Sequence, residues 1–214
     1  KCNSEMVFEC DVQIDSSIDN FFKQISQSWN SLDFIVHSIA FSDKNELKGE
    51  YLNTGRENFI NTLSVSCYSL TAICQRAEKL MKNGGQVLTL SYLGAERVIP
   101  HYNVMGIAKS ALETSVKYLA SDLGKKNIRV NGISAGPIKT LAASGISDFR
   151  YIQKWNEYNS PLKRITNISE VGKNSIYLLS ELSSGVTGEI IHVDCGYHVV
   201  GMKAVDAPDI TTVD

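Results

Sequence analysis

The sequence lacks the features that mark membrane-inserted, secreted and nucleic-acid-binding proteins. None of its apolar runs approaches the roughly 20 residues that a membrane-spanning helix needs, and its first ten residues hold no apolar stretch of the kind found in a secretory signal. Its formal net charge is -2, whereas nucleic-acid binders carry concentrated Lys and Arg surfaces. We therefore expect a cytoplasmic protein without membrane or nucleic-acid partners, and the length predicts one domain over residues 1–214.

Cysteine and histidine also lack the spacings of a disulfide framework or a metal site. The five cysteines are odd in number and include no Cys-x-x-Cys, so we expect free thiols in a reducing compartment. A redox pair of Cys67 and Cys74, seven residues apart on one helix face, is the less favoured alternative. The four histidines form neither His-x3-His nor His-Glu-x2-His, and we predict no metal site.

Short β-branched runs alternate with longer segments of helical period, which is the pattern of an α/β fold with a parallel sheet. Most of the short runs are nearly continuously apolar, as in strands buried on both faces. The predicted strands cover residues 6–10, 32–36, 86–91, 128–133 and 189–193. The predicted helices cover residues 17–29, 56–81, 103–123 and 169–179, the last capped by Ser169. We expect the polar tail after residue 202 to be loosely held or docked on a neighbour.

Glycine is absent from the first part of the chain, where none precedes Gly49. A dinucleotide-binding sheet normally opens with a strand, a loop of the type Gly-x-Gly-x-x-Gly and a helix. The strand at residues 6–10 is instead followed by an acid, Asp11, as expected of the third strand of such a sheet. We therefore expect that two strands, about fifty residues in one to two βα units, are missing from the sequence. They would lie between the strands at residues 6–10 and 32–36.

The stretch with the clearest chemical meaning runs from residue 91 to residue 113. Tyr102 and Lys109 are seven residues apart, two helical turns, and so project from one face of a helix. Tyr92 ends the preceding strand, at the sheet edge where α/β folds bind ligands. Taken singly, each is more often a packing or surface residue; together they suit a reaction that forms an oxyanion. Lys109 is expected to reach past the helix to a ligand, because a different face carries the apolar residues Val104, Ala108, Ala111, Leu112 and Leu119.

The helix-borne Tyr and Lys, followed by IRVNGISAGPIKT, resemble the short-chain dehydrogenase/reductase superfamily. Most members space the pair as Tyr-x3-Lys, whereas this sequence has Gly106 at that position and spaces the pair as Tyr-x6-Lys. This spacing, preceded by SYLGAERVIPHY and followed by AGPIKTLAASGI, resembles the bacterial enoyl-acyl-carrier-protein reductases. VHSIAF and VDCGY add weaker support, and the similarity extends over the whole chain.

The resemblance implies a Rossmann-like, doubly wound parallel sheet flanked by helices, with its first two strands not visible. It implies reduction of trans-2-enoyl-acyl-carrier-protein by NADH, the last reductive step of type II fatty-acid elongation. NADPH is the alternative cofactor, since the deciding residues lie near the end of the second strand of such a sheet. The implied partners are acyl carrier protein and, in a homotetramer, other copies of the chain, with residues 190–200 as a candidate interface.

The resemblance also assigns roles to individual residues. Tyr92 and Tyr102 match the two active-site tyrosines, Tyr102 contacting the thioester oxygen, and Lys109 matches the lysine that holds the nicotinamide ribose. Ser42 matches a position that lines the acyl site. The other cofactor positions are Asp11 and Val12 beside the adenine, Ser38, Ile39 and Ala40 after the next strand, and Ile138, Lys139, Thr140, Leu141 and Ala142 around the nicotinamide and pyrophosphate.

Residues 141–149 are small and apolar enough to close over an acyl chain. Basic residues nearby could meet the acidic carrier protein: Arg150, Lys154, Lys163 and Arg164. A β-ketoacyl or other carbonyl reductase is the nearest rival function, and it predicts Tyr-x3-Lys. A catalytically silent binding protein is the second rival, and it predicts the loss of Tyr102 or Lys109, both of which are present.

Overall fold

The computed structural model describes residues 3–140 and 148–210. Within them, four strands form one parallel sheet in the order β1-β2-β3-β4, and the prediction of a parallel sheet flanked by helices is confirmed. Each strand begins and ends within two residues of its predicted position. The strands are β1 (Phe34–His37), β2 (Gly85–Ser91), β3 (Ile128–Ala135) and β4 (Ile190–Val193).

Helices cover both faces of this sheet. They are α1 (Asp15–Ser28), α2 (Arg56–Leu63), α3 (Ser69–Ala77), α4 (Asn103–Gly124), α5 (Phe149–Asn159) and α6 (Ile168–Leu178). Helices α1, α3 and α4 share one apolar core with the sheet, whereas α6 forms a second core on the opposite face. The described helices include none long and apolar enough to cross a membrane.

The two central strands are buried on both faces, which explains their continuous apolar sequences. Val87 of β2 and Val130 of β3 are paired in register and pack into the core beneath α3 and α4. Their neighbours Leu88 and Ile133 point the other way and pack with α6. Because side chains alternate along a strand, residues 91, 134 and 192 share the α4 face at the carboxyl end of β2, β3 and β4.

The predicted strand at residues 6–10 is wrong for this structure. Met6, Phe8 and Cys10 are half-buried while Val7 and Glu9 are exposed, so the segment has the alternation of a strand. It forms no ladder with the four described strands. The Phe8 ring instead meets a ring of α1 edge to face, and the Cys10 side chain packs against the α1 core.

The long helix predicted at residues 56–81 is interrupted by a π-helical turn, Ser64–Tyr68. The Ser66 hydroxyl in this turn donates to the Phe41 carbonyl oxygen at 3.0 Å and accepts from the Phe41 N–H at 2.9 Å. Such turns insert one extra residue and are frequent at functional sites. Here the turn fastens the helix to the loop that follows β1.

Two further predictions differ from the structure, one at the start of α6 and one in the tail after residue 202. Helix α6 begins one residue early and is capped by Asn167, not Ser169, because the Asn167 side chain accepts from the Ser169 N–H while Glu170 closes a capping box. The described part of the tail is docked on its own chain. The Ala204 N–H donates to the Asn159 side chain at 2.8 Å, and Ile210 is buried.

The described cysteines, Cys10, Cys67, Cys74 and Cys195, are free thiols.

Candidate active site

The candidate site lies at the carboxyl edge of the sheet, where ligands bind in open α/β folds. Three segments leave the sheet there: residues 38–40 after β1, Tyr92 after β2, and residues 136–140 after β3. Helix α4 begins beside them with Tyr102 as its N-cap residue. The fold therefore gathers most of the predicted positions at one edge.

Two tyrosine rings form the centre of the site. The rings of Tyr92 and Tyr102 meet edge to face, with centroids 5.0 Å apart. Tyr102 is only 7% exposed and packs with Leu47 and Val104. Burial raises the pKa of both phenols well above the usual value, and Tyr92 and, to a smaller extent, the Glu113 carboxylate raise that of Tyr102 further. Both rings are therefore neutral phenols that can donate a hydrogen bond.

Gly94 leaves the space that the Tyr102 ring occupies. A Cβ added at Gly94 would lie 2.2 Å from Cδ1 of Tyr102, far inside van der Waals contact. We expect Gly94→Ala to lower the free energy of unfolding by about 1–3 kcal/mol through overpacking, and to lower kcat/KM about tenfold by displacing the ring. Denaturant unfolding and steady-state kinetics measure the two effects.

The matched control for this variant is Gly172→Ala in α6, where an added Cβ meets no atom within 4 Å. It should leave kcat/KM unchanged and stabilise the helix slightly, since alanine has the higher helix propensity. Equal activity of the Gly94→Ala and Gly172→Ala proteins would contradict the packing of Tyr102 on Gly94.

Lys109 shares the helix face of Tyr102, as the spacing predicts, but it is buried. Only 7% of the residue is exposed, and its ammonium donates to the Leu90 carbonyl oxygen of β2 at 2.7 Å. The expectation that Lys109 lies off the core face is therefore wrong, because Lys109 is buried together with Ala108 and Leu112. Burial lowers the pKa of Lys109 to about 8, against the attraction of Glu113.

His37 at the end of β1 is a second buried polar group near Lys109. Its Nδ1 lies 3.0 Å from Thr89 Oγ1, and its Nε2 lies 2.8 Å from Ser69 Oγ. Burial, with a smaller contribution from the Lys109 charge, lowers the pKa of His37 to about 4, so the imidazole is neutral at pH 7. The sequence placed this histidine at a strand end without indicating these partners.

The predicted cofactor positions are distributed along the same edge. Ser38 and Ala40 are exposed after β1, while the Ile39 side chain packs on the α1 core. Asp11 is exposed and accepts the Gln13 N–H at 2.9 Å, and Val12 is buried. After β3, Ile138 packs on the α6 core, and Lys139 and Thr140 are exposed. Leu141 and Ala142 lie outside the described residues.

Ser42 lines a cleft of about 980 Å³ between the loop after β1 and helix α2. Its hydroxyl accepts a hydrogen bond from Thr62 Oγ1 at 2.9 Å. Neither Tyr92 nor Tyr102 lines this cleft, so the structure does not bring Ser42 into direct contact with them. The loop is nevertheless joined to the start of α4, because Asn103 Nδ2 donates to the Leu47 carbonyl oxygen at 3.2 Å.

The four candidate bases for a carrier protein differ in their surroundings. Arg164 forms an ion pair with Glu170 at 2.6 Å, and Lys163 donates to the Tyr158 carbonyl oxygen at 2.9 Å. Arg150 is exposed at the start of α5, and Lys154 is half-buried one turn later. Arg150 is therefore the best placed of the four to meet a partner.

Two residues near the site were missed by the sequence reasoning. Ser91, the last residue of β2, donates a hydrogen bond to the carboxylate of Glu113 in α4. Glu113 follows Lys109 by one helical turn, so its position on the same face could have been read from the spacing. Its bond to Ser91 joins the helix to the strand that ends at Tyr92.

Comparison with known proteins agrees with the motifs. Residues 1–198 match the family model described as Enoyl-(Acyl carrier protein) reductase. Enoyl-acyl-carrier-protein reductase (NADH) 1 of Rhizobium meliloti is 64% identical over 208 residues, which are 97% of this chain and 76% of that protein. The corresponding NADH reductase of Rickettsia typhi is 57% identical over 200 residues, 94% of this chain and 76% of that protein.

Solved structures of similar proteins share the fold. The enoyl-acyl-carrier-protein reductase of Anaplasma phagocytophilum, in complex with NAD, superposes with a TM-score of 0.90 at 61% identity, covering 94% of this chain and 75% of that one. The Bacillus cereus enzyme, with NADP+ and an indole naphthyridinone, gives 0.91 at 48% identity, covering 94% and 79%. The resemblance read from Tyr-x6-Lys and its flanking motifs is confirmed, and the chain belongs to the enoyl-acyl-carrier-protein reductase family.

Proposed function

We propose that this protein reduces trans-2-enoyl-acyl-carrier-protein to acyl-acyl-carrier-protein with NADH, the last reductive step in each round of fatty-acid elongation. One observation carries the proposal: a buried neutral phenol, Tyr102, and a buried ammonium, Lys109, lie on one helix face at the carboxyl edge of a parallel sheet. Their spacing is that of this family and not the Tyr-x3-Lys of carbonyl reductases.

Tyr102 acts on the oxygen of the thioester. Reduction breaks the carbon–carbon π bond, forms a C–H bond at the β-carbon and places negative charge on the thioester oxygen, until a proton reaches the α-carbon. The Tyr102 hydroxyl donates a hydrogen bond to that oxygen, a contribution typically worth about 3–4 kcal/mol of barrier. Its raised pKa keeps the proton on the phenol, so Tyr102 stabilises the charge without becoming a phenolate itself.

The residues at the sheet edge have the donor chemistry that a nicotinamide dinucleotide requires. An ammonium has three N–H groups, and the bond from Lys109 to Leu90 uses one of them, which leaves donors for ribose hydroxyls. Residues 38–40 present an exposed backbone after β1, and Ile138 follows the fixed turn at Pro137. When bound there, the reduced nicotinamide supplies the hydride. NADH is proposed because the curated relatives are named for it, with NADPH as the alternative.

Three further features belong to the proposal. The exposed Arg150 meets the acidic carrier protein. The chain forms a homotetramer in which the half-buried edge strand β4 and the exposed Val199 contribute to an interface. The protein works in the cytoplasm, where the free thiols of its described cysteines remain reduced.

The proposal is tested by following NADH absorbance with crotonyl and longer enoyl thioesters, alongside a β-ketoacyl thioester and NADPH. We expect oxidation of NADH that depends on the enoyl thioester and yields the saturated product. Oxidation of either cofactor by the β-ketoacyl thioester alone would favour the carbonyl-reductase alternative. No turnover with either substrate would favour a silent binding protein.

The titration of Lys109 predicts an alkaline limit of activity. The charged ammonium is the active form, and burial places its pKa at about 8. We therefore expect kcat/KM, which reports on the free enzyme, to be level below this pH and to fall about tenfold per pH unit above it. Tyr102 does not cause this fall in kcat/KM, because its raised pKa keeps the phenol protonated. A profile that stays level to pH 10 would contradict the assignment.

A further inference from the structure

We propose that Glu113 is a positioning residue of this site: its half-buried carboxylate accepts a hydrogen bond from Ser91, which fastens α4 to the end of β2, and it places a negative charge one helical turn from the Lys109 ammonium. The inference rests on the proposed reductase function and adds a residue to it. Glu113 is not expected to touch substrate or cofactor. It acts through Lys109 and Tyr102.

The geometry places Glu113 between the two elements that carry the site. Tyr102, Lys109 and Glu113 follow one another along a single face of α4, with Glu113 one turn beyond the lysine. The Ser91 hydroxyl, which is buried, donates to Glu113 Oε1 at 2.5 Å. Ser91 immediately precedes Tyr92 and follows Leu90, whose carbonyl oxygen accepts from Lys109 at 2.7 Å. The lysine and the glutamate thus bind two consecutive residues at the end of β2.

The titratable groups around this pair come from five parts of the chain. On Lys109 act the Glu113 carboxylate, Cys67 of the π-helical turn and His37 of β1, where the imidazole is neutral at pH 7. Burial raises the pKa of Glu113 and the hydrogen bond from Ser91 opposes that change. The nearby charged groups are Glu96 after β2, which also raises this pKa, and His192 of β4 and Lys117 of α4, which lower it. Glu96 is itself paired with His192, Oε1 to Nε2 at 2.7 Å. Glu113 is therefore the carboxylate that acts on the buried ammonium, among the described groups.

The Glu113 carboxylate raises the pKa of both Lys109 and Tyr102, and so favours the protonated form of each. Burial lowers the pKa of Lys109, and the Glu113 carboxylate opposes that change, so the ammonium persists near neutral pH. After burial and the contact with Tyr92, the same carboxylate raises the pKa of Tyr102 and so favours the neutral phenol. One negative charge supports both the cation and the hydrogen-bond donor that the reduction requires.

Two variants separate the charge of Glu113 from its hydrogen bond. Glu113→Gln keeps an oxygen that can accept from Ser91 but removes the charge. Ser91→Ala removes the hydrogen bond but keeps the charge. We expect Glu113→Gln to move the alkaline limb of kcat/KM about one unit to lower pH, as loss of a close opposite charge does, which lowers activity about tenfold at pH 9 and little at pH 6. Ser91→Ala should keep the limb near its original pH. Glu181→Gln, an exposed carboxylate in the turn Glu181–Ser183 that follows α6, is the control.

A readout independent of turnover is the titration of Lys109 itself, in protein without cofactor. The ¹³Cε signal of this lysine is assigned by its absence from Lys109→Met protein. Its midpoint should lie near pH 8 in the wild type and about one unit lower in Glu113→Gln. Equal midpoints, or equal defects in Glu113→Gln and Ser91→Ala, would overturn the inference and leave a structural anchor. A shifted midpoint in a protein without enoyl turnover would support the inference about Lys109 while refuting the proposed function.

Discussion

Lys109→Met is expected to lower kcat/KM for an enoyl thioester about a hundredfold or more, equivalent to about 2.7 kcal/mol of barrier, while the folded protein becomes no less stable. Methionine has nearly the same length but lacks both the charge and the N–H groups. Because Lys109 is only 7% exposed, burying its ammonium costs desolvation free energy. Its replacement by an apolar side chain recovers that cost and offsets the lost bond to Leu90, so the thermal midpoint should be unchanged or higher.

The control is Lys125→Met, an exposed lysine at the C-terminal end of the same helix. It should retain wild-type kinetics. The two measurements together separate function from folding, since a residue needed only for packing would lower the midpoint when altered. If Lys109→Met protein kept more than about a tenth of the wild-type kcat/KM, the role assigned to Lys109 would be contradicted. Loss of an essential cation should cost more than about 1.4 kcal/mol of barrier.

Tyr102→Phe should lower kcat by about 100- to 1,000-fold, as loss of one oxyanion donor does, with a much smaller effect on KM. The change deletes one hydroxyl and leaves the ring, so the contacts with Tyr92 and Leu47 persist. The effect falls on kcat because the hydrogen bond strengthens only as charge develops on the thioester oxygen. Steady-state kinetics at pH 7 measures both parameters.

Two tyrosine controls sharpen this prediction. Tyr118→Phe, on the exposed side of α4 at 72% exposure, should be silent. Tyr92→Phe should cost about tenfold or less, because Tyr92 shapes the site by packing on Tyr102, a contact that the ring retains. A larger defect in Tyr92→Phe than in Tyr102→Phe would exchange the roles that we assign to the two residues.

The central sheet was predictable because its physical signal is local. β2 and β3 are buried on both faces, so each is a short, continuous apolar run that the sequence displays directly. Residues 6–10 show the limit of that signal. They have the alternating burial of a strand, yet a strand is defined by its partners, and none of the described strands pairs with them.

Helix α5 was not predicted, because its buried face is mostly polar and lacks the apolar signal that the central strands display. Its sequence FRYIQKWNEYN buries one aliphatic residue, Ile152, together with the amides of Asn156 and Asn159, whose side chains donate to carbonyl oxygens one turn earlier. A search for apolar residues at helical spacing does not detect a helix that buries amides. Only the contacts with the rest of the chain define such an element.

The candidate site was likewise predictable only where it depends on the local chain. The spacing of Tyr102 and Lys109 predicted a shared helix face, because helical geometry is a property of the local chain. The burial of Lys109 was not predictable, since a lysine in a pattern counts as polar, and its acceptor at Leu90 lies 19 residues away. The bond between Ser91 and Glu113 spans 22 residues and likewise depends on how α4 lies on the sheet. The role of each residue stays a prediction until the variants are measured.

The measurement that tests the central claim most directly is the fate of the hydride. The protein is incubated with an enoyl thioester and NADH that carries deuterium at both C4 positions, and the product is analysed by mass spectrometry and NMR. We predict a saturated acyl thioester with one deuterium at the β-carbon and a solvent-derived proton at the α-carbon. Recovery of unchanged enoyl thioester, while a β-ketoacyl thioester gives a deuterated hydroxyacyl product, would contradict the proposed reaction.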